Sequence, residues 1–296
     1  MSSGNTYLII PGVHKGGTTS LYKYLGDHDR CYAPLKKELH FFTPLVYNEK
    51  IDSLETYYAN FKDAKADDIL LDVSPSYIYG GDAVINQLKV LGKVKVLLIL
   101  RNPAKRFVSF YKQAIKAGRI SDKETLSEFY QKSQDAFQQF QEDGILLDNF
   151  YNRSLRESCY ALYTEPWLKT FGEDLKIVYF EDLITSPHET MNTICEWLEI
   201  PDIYADYNFS VENQSFKPTN QKVGVFASKI FLKNERFFRK NARLKNFLKK
   251  IYGKLNHSKY DQPTEEISED LNAFYKSYNI EFSELMNKYN RKKPNW

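Results

Sequence analysis

The chain has 296 residues, 42% of them hydrophobic and 27% charged, which is enough apolar material for a packed core and excludes a disordered chain. It has no run of about 18 apolar residues, which excludes an ordinary membrane-spanning helix, and the opening MSSGNTYLII lacks the basic and apolar regions of a signal peptide, so the expectation is a soluble, cytoplasmic protein. The net charge of +3 hides an asymmetry: residues 229–259 carry eleven Lys/Arg against one Glu, which leaves −7 for the rest.

In chain order, YLIIPGV (7–13) reads as a buried strand and TSLYKYLGDH (19–28) as a helix, with SLETYYANF (53–61) also helical. ILLDVSPSY (69–77) is a strand running into a Ser-Pro turn, and AVINQLKVLG (83–92) is a helix stopped by Gly92. KVKVLLIL (93–100) is the strongest strand, and its unbroken Val/Leu/Ile run predicts burial on both faces, as in a parallel sheet. A helix then opens on Pro103 and runs to 118. Helices are predicted over 123–142, 155–171 and 186–200, with a strand over LKIVYFEDL (175–183). The alternation predicts an α/β fold: a parallel β-sheet flanked by helices, with a helical C-terminal segment. A single domain over 1–296 is expected, with its core in 5–226 and a basic helical extension in 227–296.

Three cysteines (Cys31, Cys159, Cys195) and five histidines (His14, His28, His40, His188, His257) form no CxxC, HExxH or other ligand cluster, so no metal is expected. The chemistry lies in the turn after the first strand, HKGGTTS (14–20). Glycines there allow a tight backbone, the following helix offers free N–H groups to an anion, Thr18, Thr19 and Ser20 add hydroxyls, and Lys15 adds a positive charge. A capped strand–turn–helix with no ligand is the bland alternative, and it does not explain a lysine, paired glycines and three hydroxyls together. A nucleoside-triphosphate loop, G-x-x-x-x-G-K-[ST] counted from Gly12, would put lysine at position 18, where Thr18 stands.

GVHKGGTTSLYKYL (12–25) resembles the 5′-phosphosulfate loop of the sulfotransferases that use 3′-phosphoadenosine 5′-phosphosulfate (PAPS), in the heparan-sulfate and bacterial branch. KKELHFF (36–42), LLILRNPAKRFVSFY (97–111), YALYTEPWLKTFGEDLKIVYFEDL (160–183) and the closing YDQPTEEISEDLNAFYKSYNIEFSEL (260–285) are similar to that branch in the same order. The resemblance covers nearly the whole chain and implies the P-loop-like sulfotransferase fold.

The resemblance implies roles residue by residue. His14, Lys15, Gly16, Gly17, Thr18, Thr19 and Ser20 would hold the donor's 5′-phosphosulfate, with Lys15 stabilising charge on the leaving phosphate. Arg101 and Ser109 would contact the 3′-phosphate, and Lys217 and Lys222 match a basic loop closing over the nucleotide. Glu38 would be the general base toward the acceptor hydroxyl, with His40 as its rival or its orienting neighbour. Ser74 and Tyr77 match acceptor-side positions. The animal enzymes carry a lysine where Val73 stands here, which argues against assuming a heparan-like polyanionic acceptor. A solvated charge beside Lys36 and Lys37 is the bland reading of Glu38, and a surface ion pair that of Arg101.

The expected reaction is sulfonate transfer from PAPS to a hydroxyl of a carbohydrate or glycolipid, without metal. Phe41, Phe42, Tyr57, Tyr58 and Tyr79 offer sugar-stacking faces. The alternatives are a nucleotide-dependent kinase and a non-catalytic protein that binds the desulfated nucleotide, PAP. Ile230, Phe237, Leu244 and Ile251 recur every seven residues and predict a basic amphipathic helix over 229–259, packed on its own domain or touching an anionic surface. No nucleic-acid motif accompanies that charge, and none is expected to bind.

Overall fold

A computed structural model describes residues 4–143, 149–209 and 265–296. Five parallel strands, β1 Thr6–Ile10, β2 Cys31–Tyr32, β3 Ile69–Val73, β4 Val94–Leu100 and β5 Leu175–Tyr179, form one sheet in the order β2-β3-β1-β4-β5. The first strand is central because β1 is buried and apolar after Thr6 and pairs on both edges, with β3 from Thr6 opposite Ile69 and with β4 from Tyr7 opposite Val94. β4 is the longest strand and is almost wholly buried, as its continuous aliphatic run requires.

The helices are α1 Thr18–Gly26, α2 Thr43–Val46, α3 Leu54–Tyr58, α4 Gly81–Lys89, α5 Pro103–Lys116, α6 Leu126–Asp143, α7 Phe150–Arg156, α8 Ala161–Phe171, α9 Phe180–Thr185 and α10 Pro187–Leu198, followed by a C-terminal helix, Glu265–Lys288. The α/β class and the parallel sheet agree with the sequence reading. Several ends differ. Pro11 stops β1 at Ile10, and the Ser-Pro turn stops β3 at Val73. The helix expected over 155–171 is two, α7 and α8, parted at 157–160. The strand expected to reach 183 ends at Tyr179 and becomes α9.

The described residues fall into two compact units, 4–103 with 159–209 and 275–296, and 104–143 with 149–158 and 265–274. In the first, β1, β3, β4, α1 and α10 enclose one core that includes Leu8, Ile10, Leu21, Leu71, Ile99 and Ile194. Tyr179 donates from its hydroxyl to the Lys292 carbonyl at 2.6 Å, which ties the C-terminal tail to that unit. In the second, Phe107, Phe129, Phe150 and Tyr151 pack ring on ring. There Arg106 is fully buried, faces Glu157 at 3.4 Å and so keeps its charge paired. Among the described residues no helix is long and apolar enough to cross a membrane. Lys217, Lys222 and the segment 229–259 lie outside the described residues.

Candidate functional site

In an open parallel sheet, ligands bind beyond the carboxyl ends of the strands where the strand order reverses. Here the chain leaves β1 for β2 and β3 on one side and then crosses to β4 on the other, so the turns after β1, β3 and β4 converge. Those turns carry Lys15, Ser74 and Arg101.

The turn after β1 is fixed by its neighbours on both sides. Val13 donates from its N–H to the Ile99 carbonyl at 2.9 Å, and Ile99 donates back to the Gly12 carbonyl at 3.1 Å. On the β3 side, Ile78 donates to the Pro11 carbonyl at 3.0 Å. Lys15 sits in the left-handed region at φ 68°, a conformation that costs a non-glycine residue energy and is kept only where surroundings enforce it. Arg101 supplies such enforcement, donating from Nη1 to the Lys15 carbonyl at 3.1 Å while its guanidinium lies 4.6 Å from the Phe180 ring centroid.

The paired glycines are forced. A Cβ on Gly16 would stand 2.8 Å from Val13 Cγ2 and 2.9 Å from the Ile99 carbonyl oxygen. Gly17 has φ 102°, and a Cβ there would stand 2.5 Å from Phe180 Cδ2. Gly17 is also the N-cap of α1, and no side chain caps that helix. The first N–H groups of a helix have no partner within it, and they carry the positive end of the helix dipole. An uncapped helix start behind a glycine turn has the features an anion cradle needs. Lys15, Thr19 and Ser20 are half-buried along it, whereas Thr18 points into the core and is only 5% exposed. The ring of His14 stacks on Tyr79 at 6.2 Å.

A second cluster lies where the segment between β2 and β3 meets the turn after β3. Glu38 makes an ion pair with Lys37 and lies 3.1 Å from His40 Nε2 through its other oxygen. His40 Nδ1 is 3.2 Å from Thr43 Oγ1, which is in turn 2.7 Å from Ser76 Oγ. Both ring nitrogens of His40 are thus engaged, while the Glu38 carboxylate keeps spare lone pairs. Burial works to raise the Glu38 pKa, but the hydrogen bond from His40 and the charge of Lys37 outweigh it and hold the carboxyl down at about 2.

Ser74 and Tyr77 are brought to this cluster from beneath. Both are fully buried, with hydroxyls bonded inward to Asp72 and to the backbone of residues 40 and 42. They therefore support the segment 38–43 where direct acceptor contact was expected. Of the five aromatics expected as stacking faces, Phe42 and Tyr57 have no exposure and belong to a ring cluster with Phe61 and Tyr77. Val73 is buried in β3, so the position aligned with a lysine in the animal enzymes faces the core. Ser109 is half-buried on α5, in the second unit.

Sequence reading missed Asp72, Thr43, Ser76 and Phe180. The run DVSPSY (72–77), with four oxygen-bearing side chains in six residues at the end of an apolar strand, was the available signal for Asp72 and Ser76. Among the described residues no group of three or more His, Cys, Asp or Glu side chains is gathered as a metal site would need.

The family model for the sulfotransferase domain matches residues 5–289. Heparan sulfate glucosamine 3-O-sulfotransferase 5 of Mus musculus is 29% identical over 202 residues, covering 68% of this chain and 55% of that protein. Bifunctional heparan sulfate N-deacetylase/N-sulfotransferase 1 of Mus musculus is 26% identical over 296 residues, covering 98% of this chain and 30% of that protein. The chain thus spans between about a third and about half of the length of these relatives. A sulfotransferase crystal structure from Alicyclobacillus acidocaldarius superposes with a TM-score of 0.66 at 18% identity, covering 96% of both chains, and shares the fold.

Proposed function

The chain belongs to the sulfotransferase domain family, and from that premise we propose that it transfers sulfonate from PAPS to a hydroxyl of a carbohydrate, free or carried on a lipid. The observation that carries this reading is the uncapped start of α1 behind Gly16 and Gly17, with Lys15 held in the left-handed conformation beside it. A phosphosulfate fits that place because the uncapped N–H groups at the start of α1 favour an anion. PAPS supplies the sulfonate and a phosphate leaving group.

In this reading the N–H groups at the start of α1, with Thr19 and Ser20, bind the phosphosulfate. Lys15 opposes the charge that grows on the leaving oxygen. Arg101 fixes the Lys15 backbone and completes the donor site. Glu38 takes the proton of the acceptor hydroxyl, because it keeps lone pairs that His40 lacks. His40 then holds Glu38 in place and shares its charge. The carbohydrate acceptor rests on the named activities of the relatives.

The test is calorimetric titration with PAP beside ATP, ADP and AMP, with and without Mg²⁺. Metal-independent binding of PAP, with AMP about tenfold or more weaker, is expected, since the 3′-phosphate contributes at least about 1.4 kcal/mol. ATP binding only with Mg²⁺, and no preference for PAP, would overturn the reading in favour of a phosphoryl-transfer enzyme.

A further inference from the structure

The aspartate at the end of β3 is a buried charge for which the proposed reaction has no use. Asp72 has no solvent exposure. Ser74 donates from Oγ to Asp72 Oδ1 at 2.7 Å, and Tyr77 donates from its hydroxyl to Asp72 Oδ2 at 3.1 Å. Each hydroxyl is also an acceptor. Ser74 Oγ receives the N–H of His40 at 3.1 Å, and Tyr77 Oη receives the N–H of Phe42 at 3.2 Å.

The directions of these four bonds follow from valence. A backbone N–H only donates and an ionised carboxylate only accepts, so each hydroxyl must receive from the backbone and give to Asp72. The result is two parallel relays, His40 N–H to Ser74 to Asp72 and Phe42 N–H to Tyr77 to Asp72. Each bond polarises the next. A neutral carboxylic acid or an amide at position 72 would have to donate to one hydroxyl, leaving that hydroxyl's own proton without its acceptor. Only the ionised form satisfies all four bonds.

We propose that Asp72 is a positioning residue for the proton-transfer segment: through Ser74 and Tyr77 it clamps the backbone at His40 and Phe42 and so sets the His40 ring against Glu38. His40 is held at φ 55°, left-handed and unfavourable for a histidine, and the clamp is what sustains it. The same strand end secures the ring, since Ser76 meets the Thr43 hydroxyl that bonds His40 Nδ1. The significance of the clamp for catalysis rests on the sulfotransferase reading; its existence does not.

Burial raises the Asp72 pKa to about 6, against the opposing hydrogen bonds from Ser74 and Tyr77 and the nearby Tyr57 hydroxyl. The groups facing it are those three hydroxyls, from the turn after β3 and from α3, and the His40 imidazole, which is the one group among them that can carry a positive charge. The clamp is therefore intact at neutral pH and released below about pH 6.

Amide hydrogen exchange resolved by NMR, on the full chain without substrate, tests the clamp directly. At pH 7.5 the amides of His40 and Phe42 are expected to exchange about tenfold or more faster in Asp72→Asn than in the unmodified protein, the loss of about one hydrogen bond each. The Leu8 and Leu71 amides serve as core controls. Ser74→Ala should release His40 and spare Phe42, and Tyr77→Phe the reverse, so the clamp stays testable if Asp72→Asn does not fold. Equal exchange at 40 and 42 in all variants would overturn the proposal. A catalytic readout is separate: kcat should fall in Asp72→Asn with KM for PAPS unchanged, and the acid limb near pH 6 should vanish, whereas an unaltered profile would overturn the catalytic role. Failure of the unmodified protein to bind PAP would remove the sulfotransferase reading and leave the exchange result standing.

Discussion

The guanidinium of Arg101 donates to the backbone carbonyl of Lys15 at 3.1 Å, so the residue after β4 holds the residue after β1 by its main chain. Arg101 is itself fixed on two sides. Its own carbonyl accepts the Tyr160 hydroxyl at 2.7 Å, and its guanidinium stacks on Phe180. A lysine at 101 keeps the charge but loses both the planar stacking face and the forked donor. Arg101→Lys is therefore expected to weaken PAP binding by about tenfold to a hundredfold, the value of one or two charge-assisted bonds. Calorimetry checks this, and unchanged affinity would mean that the Arg101–Lys15 bond does not shape the donor site.

Gly17 and Gly81 separate strain from crowding. Both have positive φ, at 102° and 47°, but a Cβ on Gly81 meets nothing within 4 Å while one on Gly17 strikes the Phe180 ring. Gly81→Ala should cost about 1 kcal/mol from backbone strain alone. Gly17→Ala should cost about 1–3 kcal/mol more, because the ring must move, and it should also lower PAP affinity, since Phe180 supports Arg101. Thermal denaturation of the two variants gives the comparison. Equal losses would show that the ring yields freely.

The parts of this protein legible in sequence are those set by local signals. The run KVKVLLIL could only be a strand buried on both faces, and HKGGTTS after an apolar run announces an anion turn by glycine and hydroxyl content. What stayed hidden depends on contacts distant in sequence. β2 is two residues long and exists because Cys31 and Tyr32 find Ile69 and Leu70. Phe180 reads as part of a strand, yet it turns out of β5 to fill the space that Gly17 leaves. Ser74 and Tyr77 could be picked out in the sequence but the direction of their hydroxyls could not, because which way a hydroxyl donates is decided by Asp72 in the core.

Lys37 and Glu38 set the state of the proposed base. The Glu38 carboxyl is held at about 2, the favourable bonds from His40 and Lys37 overcoming burial. In Lys37→Met the positive charge is gone and burial gains ground, so the pKa should rise toward the ordinary 4.5. The depressed value also stabilises the fold at neutral pH, and that contribution is lost as pH falls from about 4.5 through about 2. Titration of the Glu38 side-chain carbon by NMR reads the value directly. No rise in Lys37→Met would assign the depression to His40 alone.

Lys15 and Glu38 should separate binding from turnover. Lys15→Ala removes the charge that opposes the leaving phosphate and is expected to lower kcat by about a hundredfold to a thousandfold. Glu38→Gln removes a proton acceptor while keeping shape, at about a hundredfold to ten-thousandfold. PAP binding should survive in Glu38→Gln, because the backbone cradle and Arg101 are untouched. Turnover with PAPS and a carbohydrate acceptor, paired with PAP titration, checks both. A Glu38→Gln enzyme with full turnover would move the base to another group.

Asp72 should give the stability of the protein an opposite slope. Its pKa is raised from 3.8 to about 6, chiefly by burial, so between those values the folded state holds a proton that the unfolded chain has released. Where the folded state binds more protons, stability falls as pH rises. A shift of this size corresponds to a loss on the order of 3 kcal/mol between about pH 4 and pH 6, constant above that range. Asp72→Asn cannot titrate and lacks the slope. Because Glu38, His40 and every other group titrate in both proteins, the difference in unfolding free energy between them isolates this one carboxyl. Urea unfolding at intervals from pH 4 to pH 7 should show that difference moving against the unmodified protein by about that amount and then levelling. A flat difference would mean that Asp72 ionises at its ordinary pH, the hydrogen bonds from Ser74 and Tyr77 fully offsetting its burial. A fall still under way at pH 7 would mean that Asp72 keeps its proton in the folded state to a higher pH and that the clamp is not yet charged there.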